Sequence, residues 1–253
     1  MKNKTILITG GYGFIGSSLT RELLKISNLR IVNIDKLTYA ANINSLKFSD
    51  KNNYEHYELD ICDNSSIIEV FEKTKPDFVI HLAAETHVDR SIDGPDNFIS
   101  TNIWGTYNLL KVSYDYWKNL NNQKKDDFRF LHVSTDEVYG SLGAKDKPFN
   151  ENDPYSPNSP YSASKASSDH LVSAWGKTYN LPVLITNTCN NYGPWQFPEK
   201  LIPLCISKCL LLENIPIYGD GLQVRDWIYV DDHVSGILTI LKNGEIGEKY
   251  NIG

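Results

Sequence analysis

The stretch KTILITGGYGFIG, residues 4–16, constrains the fold more than any other part of the chain. An apolar, β-branched run ends at three glycines, Gly10, Gly13 and Gly16, and the helix-periodic FIGSSLTRELLKI follows from Phe14. A strand must turn sharply into a helix there, through positions where no side chain blocks the backbone. The N–H groups at such a helix start can approach a pyrophosphate, and the helix dipole favours the negative charge. The first unit is therefore strand–turn–helix.

The same alternation continues. KTILIT, RIVNI, YEHYEL, DFVIHLA, FRFLHVS and LPVLITN read as strands. NSSIIEVFEKT, the stretch 96–119 and YSASKASSDHLVSAWGKTY read as helices between them. Several strands are continuously apolar, as strands covered on both faces are. The expectation is an α/β fold: a doubly wound parallel sheet, the dinucleotide-binding Rossmann arrangement, with a small C-terminal lobe. Residues 1–188 form the nucleotide-binding domain and 227–253 return to it, while 189–226 belong to the lobe. Residues 143–160, rich in Pro, Asn and Asp, read as a long loop. Further on, 199–212 and 231–242 read as helices, and IPIYG, QVRDWIYV and KYNIG as short strands.

With 253 residues, 41% hydrophobic and 22% charged, the chain can bury a large core. A net charge of −6 gives no basic excess for general nucleic-acid binding. No apolar run spans a bilayer and MKNKTILITG shows no leader, so a soluble cytoplasmic protein is expected. Cys62, Cys189, Cys205 and Cys209 contain no C-x-x-C pair and read as buried free thiols of a reducing compartment, with no metal site.

Asp35 ends the second strand, 19 residues beyond Gly16. A carboxylate there binds both ribose hydroxyls and repels a 2′-phosphate, which selects NAD over NADP. Lys36, next in the chain, offsets part of that preference. Asp60 and Ile61 can face the adenine. Ala83 and Ala84, small residues closing the fourth strand, let a cofactor lie across the strand end. Tyr161 and Lys165 in YSASK are i, i+4 and share a helix face. A nearby ammonium and a cationic nicotinamide both favour the phenolate, which makes Tyr161 a base for a hydroxyl proton. Ser134 and Thr135 put hydroxyls at the end of the fifth strand, and Asp136–Glu137 place two acids beside them. His81 and His132 read as core histidines with satisfied hydrogen bonds. Trp104 and Trp117 read as packing.

The stretches TGGYGFIG, LAAETHVDRS, STDEVYG, YSASK, NNYGPWQFPEKLIP and RDWIYVDDH together resemble the extended short-chain dehydrogenase/reductase family, in its nucleotide-sugar dehydratase branch. The resemblance covers essentially the whole chain. It implies NAD-dependent oxidation of a nucleotide-linked glucose, dTDP-glucose first, at C4, loss of water across C5–C6, and return of hydride to C6. Tyr161 is then the base, Lys165 its partner, Thr135 a hydrogen-bond donor, Glu137 the C5 base and Asp136 the acid; spacing alone leaves those last two roles open. The resemblance adds Phe14, Ile15, Leu37, Thr38, Leu82, Thr86, Thr101 and Asn191 on the cofactor side. On the substrate side it adds Thr86, Asn190, Lys200, Leu201, Pro203, Tyr218 and Arg225, with Lys200 and Arg225 as diphosphate partners. Arg225 could instead pair with a nearby Asp. The resemblance also implies a homodimer formed by the two long helices.

The chain departs from the family at Cys189 and Thr86, where Ser is usual. Family members also continue past YNIG, so the substrate lobe is expected to be incomplete. An epimerase or decarboxylase of the same family and a non-catalytic NAD-binding scaffold stay open as alternatives; the acid pair disfavours the first, and Tyr161 with Lys165 the second.

Overall fold

The computed structural model describes residues 3–47, 52–143, 145–217 and 219–253. Tyr218 lies outside them. A seven-stranded sheet runs in the order β3–β2–β1–β4–β5–β6–β9, and every neighbouring pair is parallel. Its strands are β1 (Thr5–Thr9), β2 (Arg30–Asp35), β3 (Tyr54–Glu58), β4 (Phe78–His81), β5 (Arg129–Thr135), β6 (Val183–Thr188) and β9 (Lys249–Ile252). The chain winds outward from β1 to β3, then crosses back to lay β4 on the other side of β1. That reversal opens a crevice at the carboxyl ends of β1 and β4.

One face of the sheet is covered by α2 (Asn64–Thr74), α5 (Thr106–Trp117) and α7 (Pro160–Tyr179), around a core that includes Leu7, Val32, Phe71, Leu109, Phe130 and Val172. The other carries α1 (Phe14–Leu23) and α9 (Val230–Asn243) over Ile6, Ile8, Leu19, Leu131, Val234 and Ile237. The six expected main strands are all present. β7 (Asn190–Tyr192) and β8 (Trp227–Tyr229) pair in parallel as a separate two-stranded sheet, beside α8 (Leu201–Leu210).

Four expectations need correction. Residues 215–217 of IPIYG form no strand; they are exposed and have no sheet to join. The stretch 96–119 is not one regular helix. A short α4 (Asp96–Phe98) leads into a π-helical run, Ile99–Gly105, before α5 begins. The wide turn is held by hydroxyls that reach the Asn102 carbonyl, Thr106 Oγ1 and Ser168 Oγ, each at 2.6 Å. Trp104, on that run, is 56% exposed rather than packed inside. Of the four free cysteines only Cys189 is buried, and Cys209 is exposed because α8 is a surface helix with no buried residue. Two short helices, α3 (Val88–Asp93) and α6 (Asn122–Asp127), and two 3-10 turns, Ile43–Leu46 and Asp136–Tyr139, complete the described elements. No helix of the described residues is long and apolar enough to cross a membrane.

Candidate active site

A cavity of about 480 Å³ fills the crevice, within the range of small-molecule and cofactor sites. The glycine turn forms its floor. Gly10 sits at φ +77°, and a Cβ there would lie 2.8 Å from the Ala83 nitrogen. A Cβ on Gly16 would lie 2.1 Å from the Gly10 carbonyl oxygen. Both positions are therefore closed to any side chain. Helix α1 has no side-chain cap at Gly13, so the N–H groups of its first turn are left for an anion in the cavity.

Asp35 lies on the wall, its Oδ2 accepting from the Tyr12 N–H at 2.8 Å and its Oδ1 from Leu37 at 2.9 Å. Each carboxylate oxygen keeps a second lone pair for a ribose hydroxyl. Lys36 is paired with Asp60 at 2.7 Å, and that bond holds the Asp60 carboxyl below its ordinary range against the effect of burial. Thr38, Ile61, Leu82, Ala83, Ala84, Thr86, Thr101 and Asn191 also line the cavity.

At the other end Thr135, Glu137, Tyr161 and Lys165 come together. Helix α7 is started by a capping box of Ser159 with Ser162 and by Pro160 in its first turn, which sets Tyr161 and Lys165 against the end of β5. Lys165 Nζ donates to the Val133 carbonyl at 2.9 Å. Burial lowers the ammonium to about 8, opposed by Asp169. Burial raises the Tyr161 phenol, helped by Glu137 and countered by a hydrogen bond with Thr135. The phenolate expected at Tyr161 is thus disfavoured by the protein alone. Burial likewise raises the Glu137 carboxyl, as does neighbouring Asp136, against the cations Lys200 and Arg225. The Asp136 carboxyl is raised by burial and held down by the Thr135 hydroxyl, which donates to it at 3.3 Å.

Asn190, Lys200, Leu201 and Arg225 line the same cavity, with Lys200 Nζ on the Thr86 carbonyl at 3.1 Å. Arg225 makes no ion pair among the described residues, so the structural pairing with an Asp does not form. Three expected residues are off the wall. Leu37 adopts φ +56°, and its side chain does not line the cavity. Pro203 lies two residues beyond Leu201, roughly 200° around a helix of 3.6 residues per turn. Asp136 is not on the wall, but both of its chain neighbours, Thr135 and Glu137, are. Tyr218 lies outside the described residues.

Cavity residues that sequence reasoning missed include Ala40, Ala41, Glu85, Gln196, Phe197, Glu199 and Trp227. Trp227 opens β8 and the others come from loops. Five of the seven lie inside stretches already singled out, Glu85 in LAAETHVDRS, Gln196, Phe197 and Glu199 in NNYGPWQFPEKLIP and Trp227 in RDWIYVDDH, while Ala40 and Ala41 had no such signal. His132 is buried as expected, but its Nδ1 has no partner. Its Nε2 lies 3.4 Å from Lys165 and 3.3 Å from Asp169, next to the site rather than in an inert core. No group of His, Cys, Asp and Glu among the described residues is arranged to hold a metal.

A switch-point crevice floored by a glycine turn, with a Tyr-x-x-x-Lys pair at the end of the neighbouring strand, defines a Rossmann-fold protein of the short-chain dehydrogenase/reductase type. A family model for GDP-mannose 4,6 dehydratase matches residues 7–253. The dTDP-glucose 4,6-dehydratase of Salmonella typhimurium is 55% identical over 257 residues, covering 98% of this chain and 71% of that protein. That of Haemophilus influenzae is 55% identical over 249 residues, covering 98% and 74%. A dTDP-glucose 4,6-dehydratase of Streptomyces venezuelae, solved with NAD bound, superposes with a TM-score of 0.90 at 43% identity, over 98% of this chain and 75% of that one. A UDP-glucose 4-epimerase of Thermotoga maritima, solved with UDP-glucose, is 30% identical with a TM-score of 0.86, over 98% and 76%. The chain belongs to the nucleotide-sugar 4,6-dehydratase family, in its dTDP-glucose branch.

Proposed function

We propose that this protein converts dTDP-glucose to the 4-keto-6-deoxy sugar nucleotide with NAD as its cofactor. The observation that carries this reading is the placement of Asp136 and Glu137 at the strand end that also meets Tyr161 and Lys165. Oxidation at C4 needs only the Tyr–Lys pair. Elimination across C5–C6 also needs a base and an acid within about one sugar carbon of each other, and two carboxyls in unlike surroundings supply both.

The cradle fits the dinucleotide. The uncapped start of α1 with Gly10, Gly13, Phe14, Ile15 and Gly16 takes the pyrophosphate, and Asp35 the adenosine ribose. Asp60 and Ile61 border the adenine, and Leu82, Ala83, Ala84, Thr86, Thr101 and Asn191 hold the rest. Bound NAD supplies the hydride acceptor at the start and the donor at the end. Tyr161 takes the C4 hydroxyl proton, with Thr135 hydrogen-bonding the oxygen and Lys165 stabilising the phenolate. Glu137 removes the C5 proton, made acidic by the C4 ketone. Asp136, bound to Thr135, protonates the leaving C6 hydroxyl. Lys200 and Arg225 bind the diphosphate; Asn190 and Leu201 border the sugar nucleotide.

The NAD-binding unit is assigned to 1–188 with 227–253, and 189–226 to the sugar-nucleotide lobe; the pairing of β9 with β6 supports the return. A homodimer is supported by Ile92, Ile99, Trp104 and Tyr179, all exposed near the long helices. The free thiols suit a cytoplasmic setting. The test offers dTDP-, UDP- and CDP-glucose and identifies the products. A 4-keto-6-deoxy sugar, fastest from dTDP-glucose, is expected; a galactose-configured product would overturn the reading in favour of an epimerase.

A further inference from the structure

Behind the Tyr161–Lys165 pair lies a buried ionisable cluster that the proposed dehydration leaves unused. Asp169 follows Lys165 by one turn of α7, so Tyr161, Lys165 and Asp169 stack on one face at i, i+4 and i+8. Asp169 is 1% exposed. Its Oδ2 accepts from the Tyr155 phenol and the Asn187 amide, both at 2.9 Å. The same Asn187 amide nitrogen donates to the Thr135 carbonyl at 3.2 Å. On the other side Asp169 Oδ1 lies 3.3 Å from His132 Nε2. A sealed carboxylate is costly unless it is paired and hydrogen-bonded; Lys165, buried one turn away, makes no direct ion pair with it and acts on it through space as the nearby cation.

The proton on His132 follows from the geometry. Nδ1 has no partner. A proton there would be an orphaned buried donor, whereas a proton on Nε2 can go to Asp169 Oδ1, 3.3 Å away and otherwise without a hydrogen-bond partner. Orphaned N–H groups are rarer than unfilled lone pairs, so Nε2 carries it. With Nε2 protonated, the 3.4 Å approach of Lys165 Nζ to it is no longer a hydrogen bond, and Lys165 keeps its donors for Val133 and the cavity.

We propose that Asp169 is a positioning residue for the oxidation step: it supplies the buried negative charge that keeps Lys165 an ammonium, fixes the His132 tautomer, and through Asn187 holds the Thr135 backbone at the cavity edge. This rests on the reading of Tyr161 and Lys165 as the oxidising pair. The charged and titratable groups around that pair are His81 from β4, His132 from β5, Asp136 and Glu137 after β5, Tyr155 from the preceding loop, and Asp169. Burial holds both imidazoles neutral, His132 at about 4. Asp136 and Glu137 act on Tyr161, and Asp169 is the group opposing the fall at Lys165. Burial raises the Asp169 carboxyl itself, but the His132 bond and the Lys165 charge outweigh it and hold it ionised.

Asp169→Asn keeps the shape and removes the charge. NMR of the NAD-loaded protein, labelled at lysine Cε and the histidine ring nitrogens, should show the Lys165 midpoint fall by roughly one to three pH units. The His132 proton should move from Nε2 to Nδ1, because the new amide donates to Nε2. The pH profile of C4 oxidation should shift to lower pH on both limbs, since losing a negative charge also eases deprotonation of Tyr161. A slower reaction with an unmoved Lys165 midpoint means a structural role only and overturns the proposal. Should the variant fail to fold, the unsubstituted protein decides: His132 protonated at Nε2 supports the proposal and at Nδ1 overturns it. Absence of turnover in the unsubstituted protein counts against the dehydratase reading and leaves the Lys165 titration readable.

Discussion

The Tyr39 phenol donates to Glu199 Oε1 over 3.0 Å, linking the loop after β2 to the segment before α8. The Arg90 guanidinium lies 3.7 Å above the Tyr39 ring and 3.3 Å from Glu199 Oε2. Phe197 meets the same ring edge-on at 5.5 Å. Segments that follow three different strands thus meet in one clasp, and Thr38, Phe197 and Glu199 belong to the cavity wall.

Tyr39→Phe removes the phenol's bond and keeps the ring under Arg90. A net hydrogen bond of about 1 kcal/mol corresponds to roughly fivefold, so NAD should leave about five times faster. Stopped-flow release measures this. An unchanged rate would mean that the clasp takes no part in holding the cofactor.

Asp35 should exclude NADP. Its carboxylate lines the cavity with lone pairs left for ribose hydroxyls, and Lys36 is paired with Asp60. Like-charge contact of roughly 3 kcal/mol gives about a hundredfold preference for NAD. Titrations with both cofactors should show the preference shrink in Asp35→Ala. Native binding that favours NADP would remove Asp35 from this role.

Glu137 should cost the protein stability. Its folded-state pKa is raised above the ordinary 4.5 by burial and by Asp136. Between the ordinary value and the raised one the folded state binds more protons than the unfolded one, so stability falls as pH rises through that window and stays lower above it. Glu137→Gln should therefore have a higher Tm than the native protein at pH 7, and the difference should vanish as pH falls through the ordinary carboxyl range. Melting curves at several pH values give the answer. A lower Tm at pH 7 would mean that the carboxylate is stabilised in place.

The parts of this site that were legible in the sequence are those whose chemistry depends on spacing along one element. The glycines sit on a single turn, Tyr161 and Lys165 on a single helix, and Asp35 ends a strand. The clasp of Tyr39, Arg90 and Glu199 was not legible, because those residues meet only after β2, β4 and β7 are placed. His132 looked like core because it stands in an apolar strand; its neighbours Lys165 and Asp169 come from α7. The π-helical run was hidden for a similar reason, since the hydroxyl of Ser168 that supports it lies 66 residues from Asn102.

The two acids should separate by substrate. Asp136→Asn should be slow on the natural substrate, because an unprotonated hydroxyl leaves poorly; loss of a general acid costs on the order of 10²–10⁴. A C6-fluoro analogue needs less protonation and should recover much of that rate. It should not rescue Glu137→Gln, whose C5 proton still has no acceptor. Rescue of Glu137→Gln alone would reverse the roles.

The most direct test follows one hydrogen. With dTDP-glucose deuterated at C4, the account requires that deuterium leave C4 and return to C6 of the same sugar, while C5 takes a proton from water. Mass spectrometry and NMR of the product should find deuterium at C6 of a 4-keto-6-deoxy sugar. Deuterium back at C4 of an intact 6-hydroxy sugar would mean epimerisation and would contradict the assignment of Asp136 and Glu137 as an elimination pair.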